Sequence, residues 1–275
     1  MKKIIIQTLI ITIVFGAIFN LYSFSRLHLT YKNPHGEYAL PLNGSEIFSA
    51  IYKSKTKKKV KKVIIGDSVA EQIYSVNEYN DSIYSLSCNQ AITLAGHYCL
   101  LKSFIETNKE LLPEEIILYY NPFSLKNNLD RFAFHYFLKF FYYNSEYEAE
   151  LNNELINSRV KKIPYHFLAK LPVIKGINWS PSYSLPDENA GQWCSPITKC
   201  YLNKIDSICK ENNLSFNFYP SPVKEDRKKE LHNLLLDTDR LLKTYIDNLN
   251  YRPSNEFTDQ IHFKKNYIPQ NPLNL

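Results

Sequence analysis

The run at residues 60–65, Val-Lys-Lys-Val-Ile-Ile, ends at Gly66 and constrains this chain more than any other stretch. Successive side chains of a strand point to opposite faces, so consecutive apolar residues must be covered on both sides. Three further runs read as strands: 83–86, 115–120 entered after Pro113, and 215–219 following the polar turn Glu211-Asn212-Asn213. Helical spacing separates them. Ala91, Leu94, Ala95, Tyr98, Leu101 and Ile105 predict a helix over 90–106, and Leu231, Leu234, Leu235, Leu241, Leu242 and Tyr245 predict a long amphipathic helix over 225–248. Strands alternating with helices give an α/β domain built on a parallel sheet.

In such sheets ligands bind beyond the carboxyl ends of the strands. Ser68 follows the first strand in Gly66-Asp67-Ser68, and Asn121 follows the third. Near the C-terminus stands Asp259-x-x-His262, in a polar loop that can fold back over the same edge. A serine hydroxyl becomes a nucleophile when an imidazole takes its proton and a carboxylate orients that imidazole. One turn of backbone lets Asp259 and His262 converge. Asp67 adjoins the serine, but neighbouring residues rarely face the same way, so it is assigned to fixing the turn through backbone hydrogen bonds.

Gly66-Asp67-Ser68-Val69 resembles the first block of the SGNH, or GDSL-like, hydrolase superfamily, and Asp259-Gln260-Ile261-His262-Phe263 resembles its last block. The resemblance implies a three-layer, flavodoxin-like sandwich with Ser68 as nucleophile, His262 as general base and Asp259 as its partner. It also implies an oxyanion hole from the Ser68 amide, a group near Asn89, and the Asn121 side chain. The middle blocks depart from the pattern: no glycine stands near Asn89 until Gly96, and Pro122 takes the place of an aspartate. Anchored members of the superfamily modify acyl groups on envelope polysaccharides. The expected activity is therefore a serine esterase or O-acyltransferase on acylated carbohydrate or another ester, needing no metal or cofactor, with a membrane-embedded acyltransferase as a candidate partner. The alternative is an inactive version of the fold that binds or assembles components of polysaccharide export.

Residues 1–22 open with Lys2 and Lys3 and continue as an almost unbroken apolar run, about the length needed to cross a bilayer core of roughly 30 Å. A cleaved signal would want a shorter centre with small residues at a cleavage site, and Gly16-Ala17 lies inside the run, so an uncleaved transmembrane anchor is expected. The lysines place its start in the cytoplasm and the body outside, although Arg26 and Lys32 weaken the asymmetry. Residues 23–59 read as a linker or arm with a short helix over 45–54, and 60–275 as one domain.

The net charge of +6 draws on the seven lysines between 53 and 62. They read as a solvated lead-in or as a surface for polyanion or lipid; without interleaved aromatics they do not indicate nucleic-acid binding. Five cysteines lack zinc-site spacing; Cys194 and Cys200 are near enough to bridge, and buried thiols are the plainer reading. Residues 126–196 interrupt the alternation and are rich in aromatics, predicting a helical insertion over the sheet rim. Its rings could bind an acyl chain, stack on sugars, face a membrane partner or form the insertion's own core. Among the remaining histidines, His28, His35 and His232 read as solvent residues and His97 and His135 as packed or exposed, since none has a motif-spaced carboxylate.

Overall fold

The computed structural model describes residues 1–40, 45–78, 82–177, 179–186, 193–232, 240–270 and 272–273. A helix long and apolar enough to cross a membrane, α1 (Lys2–Lys32), comes first. It runs ten residues beyond the expected anchor, because nothing between Ser23 and Lys32 breaks a helix and Pro34 is the first residue that does. Leu27 and Thr30 are buried against the body, so this part of the expected linker is structural. The short helix α2 (Glu46–Ser54) follows, burying Ile47, Phe48, Ala50 and Ile51.

Strand β1 (Lys62–Gly66), helix α3 (Ser68–Ile73), strand β2 (Ile83–Ser85), helix α4 (Leu94–Thr107) and strand β3 (Glu115–Tyr120) then build the heart of the sheet. The expected helix over 90–106 begins later than its periodicity suggests. Asn89–Ala91 form a 3-10 turn and Ile92 adopts a left-handed φ of 51°, which reverses the chain before α4. The insertion contains a π-helical segment, Phe134–Tyr142, and short helices α5 (Glu148–Leu151), α6 (Glu154–Val160) and α7 (Pro172–Lys175). Phe134, Phe137, Phe140 and Phe141 are buried in the main core, so most of its aromatic content is structural.

Helix α8 (Pro196–Glu211) and strand β4 (Ser215–Pro220) complete the alternation. Beyond them, β5 (Val223–Lys224) pairs in parallel with β6 (Tyr251–Arg252). The stretch expected as one long helix is helical over α9 (Lys228–His232) and α10 (Arg240–Asp247); residues 233–239, including Leu234 and Leu235, lie outside the described residues, as does the side chain of His232.

The main sheet is four-stranded and fully parallel, in the order β2-β1-β3-β4. Its alternate residues separate cleanly: Val63, Ile65, Ile116, Leu118 and Tyr120 join the large core, whereas Ile64, Ile117 and Tyr119 join a smaller cluster with Ala70 and Tyr74. Both faces are thus apolar, as β-branched runs require. The chain leaves β1 toward one edge and returns to the other side of β1 as β3, so the strand order reverses between these two. A crevice opens beyond their carboxyl ends.

Candidate active site

Gly66 permits the turn that fills this crevice. A Cβ there would stand 2.0 Å from the Tyr119 carbonyl oxygen and 2.4 Å from the Ala70 Cβ, so any other residue would push α3 away from β3. Asp67 then caps α3: its Oδ1 accepts the amides of Val69 at 3.0 Å and Ala70 at 3.4 Å. Its Oδ2 accepts the Asn121 amide at 2.9 Å, tying the end of β1 to the end of β3. Burial pushes its carboxyl above the usual range, against the Ser124 side chain and these amides, which favour the charged form.

Ser68 opens α3, and its Oγ lies 2.8 Å from His262 Nε2. His262 Nδ1 lies 2.8 Å from Asp259 Oδ2. A carboxylate can only accept, so the Nδ1 proton belongs to the Asp259 bond and Nε2 is left to accept from the serine hydroxyl. Asp259 Oδ1 accepts the Ile261 and His262 amides, both at 2.8 Å. Partial burial pushes its carboxyl upward, and these amides together with the His262 ring outweigh it, holding the group below its usual value. The side chains of Asp259 and His262 remain 55% and 34% exposed, so water reaches this edge of the site.

The C-terminal loop is held by contacts that no local pattern announces. Gln72 on α3 donates from Nε2 to the Phe263 carbonyl at 2.7 Å and accepts the Phe263 amide on Oε1 at 3.0 Å, as a neighbouring strand would. Phe257 and Phe263 stack at 4.6 Å and pack on Val69, one residue beyond Ser68. The Thr258 amide donates to the His262 carbonyl at 2.8 Å, closing the loop on itself.

The three groups expected as oxyanion donors differ in their surroundings. The Ser68 amide, at the first position of α3, has no acceptor among the described residues. Asn89 lines the cleft beside Ser68, with its amide donating to Glu71 Oε2 at 3.1 Å. Asn121 is buried and committed elsewhere: Nδ2 donates to Ser221 Oγ at 3.0 Å and Oδ1 accepts the Phe123 amide at 3.0 Å. Glu71 was not singled out by its sequence context. Burial and the nearby Glu46 push its carboxyl up to about 8, with Asp67 adding to the rise and the Asn89 amide opposing it.

The cleft has a volume of about 650 Å³, and Ser68, Asn89, Ser124, Phe132, Tyr136 and Ile261 contribute to its wall. Phe132 is 63% exposed in a loop where it and Leu129 both hold left-handed φ angles, 58° and 60°. Such backbone persists only where the surroundings enforce it. Here Arg159 pairs with Asp130 and donates from Nε to the Asn128 carbonyl at 3.0 Å, pinning the loop from beneath.

Other sequence candidates lie apart from this chemistry. His97 is buried with no polar partner for either ring nitrogen among the described residues, edge-on to Tyr120, and burial pushes it down to about 3. His135 is pushed down to about 4 by burial and the adjacent Lys139. His35 meets Ser49 Oγ at 3.2 Å. No disulfide joins the cysteines among the described residues, and Cys88, Cys99, Cys194 and Cys209 are buried. Lys53 leaves the basic run: it is buried, donating to the Val76 and Glu78 carbonyls at 3.0 and 3.3 Å over the Tyr84 ring.

No family model matches the chain, and neither a curated protein nor a solved structure is similar to it.

Proposed function

We propose that the chain is a membrane-anchored, extracytoplasmic serine esterase or O-acyltransferase of the SGNH type, with the layered α/β architecture that type implies, acting on acylated carbohydrate of the cell envelope. The observation that carries this reading is the hydrogen-bonded series Ser68, His262 and Asp259, each link 2.8 Å, assembled from residues 194 positions apart. Ser68 Oγ attacks the ester carbonyl while His262 Nε2 takes its proton, and Asp259 stabilises the imidazolium. Negative charge on the carbonyl oxygen is met by the Ser68 amide and the Asn89 side chain. Collapse expels the alcohol, which recovers the proton from His262, and leaves an acyl-enzyme for water or a sugar hydroxyl to resolve.

Phe132 and Tyr136 in the cleft suit a carbohydrate, since apolar ring faces stack on the C–H faces of sugars, while Arg131 beside them offers donors to hydroxyls. The second reading, a non-catalytic binding or assembly component of polysaccharide export, is favoured by one observation: the Asn121 carboxamide is spent on Ser221 rather than offered to a substrate. A fluorophosphonate probe separates the two. Covalent labelling of the wild type that disappears in Ser68→Ala and His262→Ala is expected; a folded but unlabelled wild type would establish the binder.

A further inference from the structure

Residues 161–186 contain Lys161, Lys162, Lys170 and Lys175, and no aspartate or glutamate. The same segment leaves Tyr165, Phe167, Leu171, Ile177 and Trp179 between 40% and 63% exposed. Aromatic and apolar side chains open to solvent, in a stretch of sequence that carries lysines and no carboxylate, are the composition of a membrane–water interface.

Their height along α1 agrees. From Lys2 to Phe19 every residue of that helix is exposed, and Asn20 is the first to be shielded. Asn20 Oδ1 accepts the Val173 amide at 3.4 Å, so α7 meets α1 there. At about 1.5 Å per residue, Ile4 to Asn20 covers roughly 24 Å, most of a hydrocarbon core. The segment around α7 therefore stands at the level where the apolar span ends.

We propose that this face, residues 165–177 and 179 around α7, rests on the lipid bilayer from which α1 emerges. Its rings enter the boundary between headgroups and acyl chains, and the exposed Lys170 meets anionic headgroups, while Lys175 is held inward by the Tyr143 carbonyl at 3.0 Å. The proposal rests on α1 being retained as an anchor. It also orients the cleft: Trp179 packs edge-on against Phe134 at 5.8 Å, two residues from Tyr136, and Ser184 and Leu185 reach the cleft wall. The mouth of the cleft then opens beside the bilayer, where an ester on a lipid-linked or membrane-bound acceptor is in reach.

The chain supplies its own probe. Its two tryptophans are Trp179, 43% exposed, and Trp193, 2% exposed, so the emission lost in Trp179→Phe belongs to one ring on the proposed face. Full-length wild type and Trp179→Phe are reconstituted in phosphatidylcholine–phosphatidylglycerol vesicles, with and without a lipid brominated on a shallow acyl carbon, and vesicle association is followed by flotation. The Trp179 emission should fall by roughly half or more with the brominated lipid, because an interfacial ring lies about 5–10 Å deep, within contact of that carbon. Replacing Lys161, Lys162 and Lys170 together by glutamate should weaken the quenching. A protein that floats with the vesicles but whose Trp179 does not sense the brominated lipid overturns the docking and leaves the anchor intact; one that does not float overturns both.

Discussion

Glu71 lies three residues beyond Ser68, its Oε2 accepting the Asn89 amide at 3.1 Å, and burial with the nearby Glu46 raises its carboxyl from 4.5 to about 8. In the unfolded chain the same group ionises near its ordinary value, so folding takes up a proton between these two pH values. Stability from this group is fully present below pH 4.5 and is lost as pH rises through 8. One pK unit corresponds to about 1.4 kcal/mol, so the loss reaches about 3 kcal/mol at pH 7 and approaches 5 kcal/mol above pH 9. Glu71→Gln keeps an oxygen to accept the Asn89 amide but cannot ionise in either state. The variant should match the wild type at pH 4 within about 0.5 kcal/mol and exceed it by about 3 kcal/mol at pH 7. For a chain of this size that is a rise of roughly 6–12 °C in Tm, read by calorimetry of the full-length protein in detergent at both pH values. Fluorophosphonate labelling of Ser68 should survive, because the oxygen that holds Asn89 is retained. An offset equal at pH 4 and pH 7, or a wild type that is the more stable at pH 7, would refute the assignment of a neutral buried carboxyl.

Two asparagines that the sequence treats alike should part in function. Asn89→Ala is expected to lower kcat by about 10²- to 10³-fold with little change in Tm, as loss of one oxyanion donor does. Asn121→Ala should instead cost about 1–3 kcal/mol of stability, measured by denaturant unfolding, because it strands Ser221 and uncaps the turn after β3. Gln72→Ala removes both bonds to Phe263; hydrogen exchange across 257–263 should quicken and kcat fall, since His262 is loosened relative to Ser68.

What was legible in the sequence was set by local rules. Strands β1 and β3 are bounded within about two residues by β-branched composition, a preceding Lys or Pro and a terminal turn, and a glycine is demanded where α3 abuts β3. Asp259 and His262 could be paired because three residues of separation is a local geometry. The features that were hidden depend on distant partners. Asn121 looked like a cleft residue until Ser221, a hundred positions away, claimed its amide. Lys53 sits in a charge run yet is buried, since the Val76 and Glu78 carbonyls and the Tyr84 ring replace its hydration. The reversal at Ile92 has no glycine to mark it, and periodicity alone carried the predicted helix through it. Glu71 carried no motif, and its significance arises only when Glu46, Asp67 and Asn89 surround it.

Esterase and transferase share every step up to the acyl-enzyme and differ only in what reaches it next. With more than half of the Asp259 side chain and a third of His262 exposed, water has free access to the imidazole that must activate the second nucleophile. On the proposed reading, a bare body in solution would therefore hydrolyse its acyl group. Transfer to a sugar hydroxyl requires that this edge be covered while the intermediate lives, because only exclusion of water lets a dilute acceptor compete. The loop that carries the pair is held to α3 through Gln72 and to itself through Phe257 and Phe263, which leaves its outer surface open to a covering partner. On the proposed reading, the choice between the two reactions resides less in Ser68, His262 and Asp259 than in what settles over the Asp259 edge.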